Sequence, residues 1–275
     1  MRGRWQSFLP GWRPEVHLYS IVWNEAAMLE FFFRHYDPWV SRYVFFDNGS
    51  TDATREIIAR HPRAECRPFP WKVADSFVLS AQILHNECWK ESRGKADWVV
   101  LTAVDEHLHH PDLPGYLRRC TRAGITAIPA VGYQMVAEDF PPSGVLLARA
   151  VTRGAPWHMM NKLSLFRPDA IRETGFGPGR HVADPVGKVV YPPRDELMLL
   201  HYKYLGRAYL HARHAFLRGG LRLVDRARRF GHQYFLSPEE QDASFDAFAA
   251  RAVDIAAPGF RPSPDPERPP WWRAA

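Results

Sequence analysis

Three short polar clusters each close an apolar, β-rich run: Asn24-Glu25 after residues 16–22, Asp47-Asn48-Gly49-Ser50-Thr51-Asp52 after residues 43–46, and Asp105-Glu106 at the end of residues 98–104. Carboxylates in such positions can accept from ring N–H groups and sugar hydroxyls, or hold a hard divalent cation. The hexapeptide is the most informative of the three. Gly49 permits a tight turn and Ser50 or Thr51 can cap the following helix, leaving Asp47 and Asn48 facing the crevice. The same six residues also read as a plain turn with a helix cap and no ligand. His107, His109 and His110 invite a zinc reading, although their spacing favours an unpaired group of surface histidines.

The elements that must position these clusters alternate between two periodicities. Residues 16–22, 43–46, 64–68, 98–104, 125–135 and 162–166 read as strands, and residues 26–36, 51–61, 75–92 and 112–122 as helices. Pro38 and Pro62 stop the first two helices. This alternation predicts an α/β fold with a mostly parallel sheet flanked by helices, in which ligands bind beyond the carboxyl ends of the strands. A Pro/Gly-rich stretch, 140–157, separates the later strands.

The remaining chain divides by composition. Residues 1–14 form a basic, aromatic segment without the apolar run of a signal peptide. Residues 206–257 are predicted to be a helical extension, and residues 258–275 a Pro-rich tail with poor order. Arg207–Phe230 places seven arginines among apolar residues, a pattern suited either to an anionic membrane surface or phosphorylated acceptor, or to an ordinary solvated helix face. Over the 275 residues, Lys and Arg together number 36 against 30 Asp and Glu, and only six of the 36 are Lys. Arginine suits bidentate recognition of phosphate and carboxylate; a codon bias acting on a solvated surface gives the same excess. Hydrophobic residues make up 46% of the chain and charged residues 24%, which excludes disorder over most of its length. Three cysteines match neither a disulfide framework nor a zinc site, and no stretch approaches a membrane span. A cytoplasmic protein, at most peripheral to the membrane, is expected.

Ile21-Val22-Trp23-Asn24-Glu25, then the Asp47–Asp52 hexapeptide, then Ala96-Asp97-Trp98-Val99-Val100-Leu101 leading into Asp105-Glu106, resemble glycosyltransferase family 2. Within it the chain is most similar to the branch with Asn-Glu and Asp-x-Asp-Glu-Phe signatures, over residues 16–205. The resemblance implies a GT-A fold for residues 15–205, a nucleotide-sugar donor (a UDP-sugar first) and a divalent cation, Mn²⁺ or Mg²⁺. It places Asn24, Glu25, Asp47, Asn48, Asp52, Gln82 and Lys162 at the donor. It also places Asp105, Glu106 and the late His201 at the metal. Ala103 stands where the family has the first Asp of its metal motif, and His107 where it has an aromatic residue.

Glycosyl transfer builds negative charge on a diphosphate leaving group, which a cation at Asp105 and a basic residue such as Lys162 would neutralise. An inverting reaction further needs a carboxylate to take the acceptor proton; Asp139 is the first candidate and Glu138 the second. Trp157-His158 could stack on a sugar ring, against a default of core packing. The resemblance implies a glycan or lipid-linked acceptor. Two other readings remain open: a nucleotidyltransferase or phosphohydrolase on a similar sheet, and a degenerate or anion-binding module built on the Arg-rich region. The basic residues lack the aromatic interleaving of nucleic-acid platforms, so nucleic acid is not an expected partner.

Overall fold

The computed structural model describes residues 11–273, so residues 1–10 of the basic N-terminal segment lie outside the described residues. The N-terminal half alternates β1 (Val16–Val22), α1 (Ala26–Tyr36), β2 (Arg42–Asp47), α2 (Thr54–Arg60), β3 (Ala64–Pro68), α3 (Phe77–Glu87) and β4 (Trp98–Leu101). These four strands are parallel, in the order β3-β2-β1-β4. Side chains alternate across them, as a strand period of two requires. Leu18, Tyr43, Phe45, Trp98 and Val100 pack toward α1, while Tyr19, Val44, Val99 and Leu101 pack on the face that holds Leu84 of α3. Helices therefore cover both faces, and the chain is α/β.

Beyond β4 the sheet becomes mixed. β5 (Glu106–His109), α4 (Leu113–Ala123), β6 (Ala127–Ala137), α5 (Leu147–Ala150), β7 (Arg153–Pro156), β8 (Lys162–Phe166), β9 (Ile171–Glu173), β10 (Val186–Gly187) and β11 (Met198–Leu205) follow. The long β6 joins the two halves: its first residues run antiparallel to β8, and later ones pair with β7 and, in parallel, with β11. β5 lies antiparallel to β11, setting Glu106 opposite His201. The expected strand over 98–104 ends at Leu101, and Asp105 sits in the turn before β5. That turn lets the chain reverse onto β11.

The basic region is two helices rather than one, α6 (Arg207–Gly220) and α7 (Leu223–Ala227), followed by α8 (Pro238–Arg251) and β12 (Val253–Asp254). Asp225 of α7, fully buried, accepts from Ser76 Oγ (2.5 Å), Phe77 N–H (2.9 Å) and Val78 N–H (3.2 Å), capping α3 from across the molecule. The Pro-rich tail, expected to be poorly ordered, is packed through residue 273. Trp272 Nε1 donates to Asp195 (2.8 Å), Asp265 accepts from His158 N–H (3.0 Å), and Tyr133 Oη donates to the Ser263 carbonyl (2.9 Å). Aromatic anchors with satisfied polar ends outweigh the tail's unfavourable composition.

Candidate functional site

Parallel pairing sets Val22 opposite Asp47, so the loops that leave β1 and β2 emerge side by side. Asn24 adopts φ 50°, a left-handed conformation that Asn tolerates better than most residues. Its Oδ1 accepts from the backbone N–H of Thr51 (2.7 Å) and Asp52 (3.3 Å), and its Nδ2 donates to Thr51 Oγ1 (3.2 Å). Asp52 in turn accepts from Ala26 N–H (3.1 Å) and Thr54 N–H (3.0 Å). Ser50 Oγ receives Asn24 N–H (2.9 Å). Ser50 and Thr51 thus staple the two loops instead of capping α2, which starts at Thr54 without a side-chain cap. Asn24 and Asp52, expected at the donor, have their polar atoms committed to this staple.

Asp47 and Asn48 face a cleft of about 760 Å³ whose walls include Trp23, Arg55, Trp71 and Arg222. The Asp47 carboxylate accepts from Ser50 N–H (3.0 Å) and lies 3.8 Å from Arg55 Nε. The Arg222 guanidinium sits 5.0 Å from the Trp71 ring centroid, and Trp23 packs on Phe216 with ring centroids 4.1 Å apart. Two aromatic surfaces, an acceptor-only carboxylate and arginines make a cleft suited to a planar, anionic ligand.

Next to Trp23, Glu25 is held by Arg213 of α6, which also donates to the carbonyls of Trp23 (3.3 Å) and Asn24 (3.2 Å). Burial raises the Glu25 carboxyl to about 7, against the pull of Arg213. The Asp105 carboxylate lies 3.5 Å from His201 Nε2 and 3.8 Å from Lys203 Nζ. Burial pushes its pKa up, but the Lys203 ammonium beside it holds it well below the ordinary carboxylate value. Burial also lowers the His201 pKa, so the ring is neutral at pH 7.

The His201 tautomer follows from its neighbour. Gln134 Nε2 donates to the carbonyls of Met135 (3.0 Å) and His201 (3.1 Å), which turns Gln134 Oε1 toward His201 Nδ1 at 2.6 Å. Nδ1 therefore carries the proton, and Nε2 presents a lone pair to the Asp105 carboxylate. Two acceptors aimed at each other fit a cation between them, and a second ring nitrogen fixed by a hydrogen bond is the usual support of a ligating histidine. Asp105 and His201 fit a divalent cation as two adjoining ligands. Glu106 does not. Its buried carboxylate is taken by Lys162 Nζ (2.6 Å) and Arg180 Nη2 (2.6 Å). Among the described residues no group of three His, Cys, Asp or Glu side chains is arranged for a metal.

The same triad corrects Lys162. It is buried beside Glu106, on a strand flanked by β4 and β6, and serves a core ion pair rather than an open donor face. Gln82 is corrected too: its Nε2 donates to the Phe176 carbonyl (3.0 Å) and it lines a separate hollow with Val73 and Ile83. Nor are the three histidines after Glu106 a surface group or a zinc set. Alternation along β5 buries His107 completely against His35, with ring centroids 4.6 Å apart, while His110 stacks on Tyr116 beyond the strand. Trp157 packs between His201 and Phe248. Glu138 and Asp139 are exposed at the turn after β6, where Gly206 N–H donates to the Ala137 carbonyl (2.8 Å). Neither carboxylate has an ion-pair partner among the described residues. Sequence reading missed Lys203, Arg213 and Arg180. The arginine excess was the available signal, and it did not say which arginines turn inward.

No protein family matches the sequence, and no curated protein does. Solved structures show distant likenesses. S. aureus TarS is 10% identical over 56% of this chain and 28% of its own length, with a TM-score of 0.35. Its 1–349 portion is 9% identical over 86% of this chain and 71% of that one (TM-score 0.39). Glucosyl-3-phosphoglycerate synthase from Mycobacterium tuberculosis, solved with Mn²⁺, UDP and glucosyl-3-phosphoglycerate, is 18% identical over 62% and 67% (TM-score 0.34). This chain therefore spans little more than a quarter of TarS. Likenesses this distant carry no weight in assigning chemistry, which rests on the residues of the site.

Proposed function

We propose that the protein is a glycosyltransferase that moves a sugar from a nucleotide-sugar donor, a UDP-sugar first, to a hydroxyl of a glycan or lipid-linked glycan. One observation carries the reading. The Asp105 carboxylate and the His201 Nε2 lone pair converge, with Lys203 beside them and Arg213 within electrostatic reach, and Arg213 in turn donates to the carbonyl of Trp23, a wall of the cleft that Asp47 lines. A group that brings its own anions and a cation matches that arrangement, and a nucleoside diphosphate is such a group.

In this reading Asp47 and Asn48 accept from and donate to the base or ribose, and Trp23 and Trp71 supply apolar surface to the ring. Asn24 and Asp52 set the loop geometry. Glu25 orients Arg213. Asp105 and His201 would hold Mn²⁺ or Mg²⁺, which supplies positive charge to the diphosphate oxygens. The acceptor oxygen bonds to the anomeric carbon as the bond from that carbon to the diphosphate breaks, and the electron pair of the broken bond goes to the diphosphate, where Lys203 and Arg213 face the growing charge. Asp139 takes the acceptor hydroxyl proton, with Glu138 as the second candidate; both are exposed and unpaired at a strand end. Residues 15–205 form the transferase unit, and the extension over 206–257 completes it with Arg213 and Arg222.

Calorimetric titration of UDP, GDP and CMP, with and without Mn²⁺, against the wild type and Asp105→Ala tests the reading. Metal-dependent binding of one nucleotide, lost in Asp105→Ala, is the expected result. Silence from every nucleotide in both conditions would overturn it in favour of an anion-binding module.

A further inference from the structure

The chain from Arg207 to Leu236 carries seven arginines and one carboxylate, Asp225. That carboxylate is fully buried at the start of α3, so it neutralises nothing at the surface. Arg207 is paired with Asp246 and Arg213 with Glu25. The others, Arg218, Arg222, Arg226, Arg228 and Arg229, are all exposed, and none has a carboxylate partner among the described residues. Amid them Leu223 is 75% exposed, the most exposed of the large apolar side chains described. Helical spacing sets Leu223, Arg226 and Ala227 on one outward face of α7, while Val224 and Asp225 turn toward the domain.

The corner is also fixed in place. Asp225 ties α7 to the start of α3, and Val224 N–H donates to the Asp75 carbonyl (3.1 Å). Arg222, one residue before Leu223, lines the Asp47 cleft and stacks on Trp71, which is itself 40% exposed. Basic residues around a protruding aliphatic side chain thus border the mouth of the cleft.

We propose that the α6–α7 corner docks on an anionic lipid bilayer, with Leu223 entering the headgroup region and Arg218, Arg226, Arg228 and Arg229 facing lipid phosphates. Charge complementarity identifies the occupant: an uncompensated basic surface seeks an anionic one, and each arginine near such a membrane strengthens binding about fivefold. A nucleic acid would use Arg in the same way but has no use for a leucine that is 75% exposed. Docking here turns the cleft mouth to the membrane. In the proposed transferase this brings lipid-borne acceptors to the donor, a step that rests on the functional reading above; the docking itself does not.

The test is co-sedimentation of the full chain with vesicles of phosphatidylcholine alone or with about 30% phosphatidylglycerol, from roughly 50 to 300 mM salt. Anionic vesicles are expected to bind the protein and neutral ones not, with affinity falling as salt rises. Arg218→Glu/Arg228→Glu/Arg229→Glu is expected to lose about a hundredfold or more. Leu223→Asp is expected to lose binding as well, with melting temperature and circular dichroism unchanged in both variants. Equal binding to neutral vesicles, retention in the charge-reversed variant, or capture by heparin without any vesicle binding would each overturn the proposal. UDP titration on the same samples separates the two readings: vesicle binding without nucleotide binding leaves the docking surface standing and removes the transferase, and the reverse result removes only the docking surface.

Discussion

Arg213 of α6 forms a nearly buried ion pair with Glu25, 188 residues earlier in the chain. The same guanidinium binds the carbonyls of Trp23 and Asn24, so the C-terminal extension fastens the loop that leaves β1. Glu25 can take up a proton when its partner is lost, but Arg213 cannot give one up, so removing Glu25 leaves a desolvated charge at a cost of about 3 kcal/mol or more. Glu25→Gln is therefore expected to lower stability by about 3 kcal/mol, and Arg213→Met in that background to recover much of it. Urea unfolding of the four proteins in the cycle measures the coupling; purely additive losses would show that the pair contributes nothing.

Glu106 and Asp105 are adjacent in sequence and have opposite tasks. Glu106 neutralises Lys162 and Arg180 in the core, and despite burial these two cations hold its carboxyl far below the ordinary value. Asp105 is partly open and faces His201. Glu106→Gln is expected to destabilise the fold by about 3–5 kcal/mol, because two buried cations lose their counter-charge. Asp105→Asn, at a partly open site, is expected to cost less stability than Glu106→Gln while abolishing Mn²⁺-dependent nucleotide binding. Thermal unfolding and calorimetry on both variants check the division; Mn²⁺-dependent binding that survives in Asp105→Asn would refute it.

How much of this could be read from the sequence depended on distance along the chain. The Asn24-Glu25 and Asp47–Asp52 clusters were visible because each follows a β-rich run, and parallel pairing of neighbouring strands brings such ends together. What each side chain does was less visible. Asn24 and Asp52 look like ligand contacts by type, yet backbone N–H groups of the facing loop claim them first. The basic partners were hidden more deeply. Arg180 reaches Glu106 from 74 residues away and Arg213 reaches Glu25 from 188, and neither lies in a motif. The strand expected over 98–104 overruns its true end at Leu101 because the apolar character of the run extends to Val104, a turn residue that packs in the core.

Burial of neutral histidines sets the acid limit. It lowers His35 to about 4 and His214 to about 3, and holds His85 and His107 well below their ordinary value of 6.5. A histidine with a depressed folded pKa binds its proton more readily when unfolded, so stability is lost as pH falls from about 6.5 toward 4. Glu25 acts in the opposite sense, since its raised carboxyl favours the folded state as pH falls from about 7 to 4.5. Four histidines outweigh one carboxylate, and the melting temperature is expected to drop between pH 7 and 5. The drop should be smaller in His107→Phe, which keeps the ring contact with His35 and removes a site of protonation. A melting temperature that is flat or rising over this range would contradict the assignment.

Gly220 ends α6 against Trp23, and a Cβ at this position would lie 2.3 Å from Trp23 Cζ3 and 2.7 Å from Cη2. An indole wedged against Phe216 on its other contacts has no flexible end to yield, so either the ring or the helix end must shift. Gly220→Ala is expected to cost about 1–3 kcal/mol despite the better helix propensity of Ala. Gly219 gives the internal control. Open space surrounds its Cβ position, so Gly219→Ala is expected to be neutral or to stabilise by up to about 1 kcal/mol. Both glycines line the Asp47 cleft, but only the Gly220 substitution moves Trp23. The expected outcome is weaker nucleotide binding with a shifted tryptophan emission in Gly220→Ala, and near wild-type values of both in Gly219→Ala. Unchanged emission and affinity in Gly220→Ala would mean that Trp23 does not form the wall on which the ligand rests.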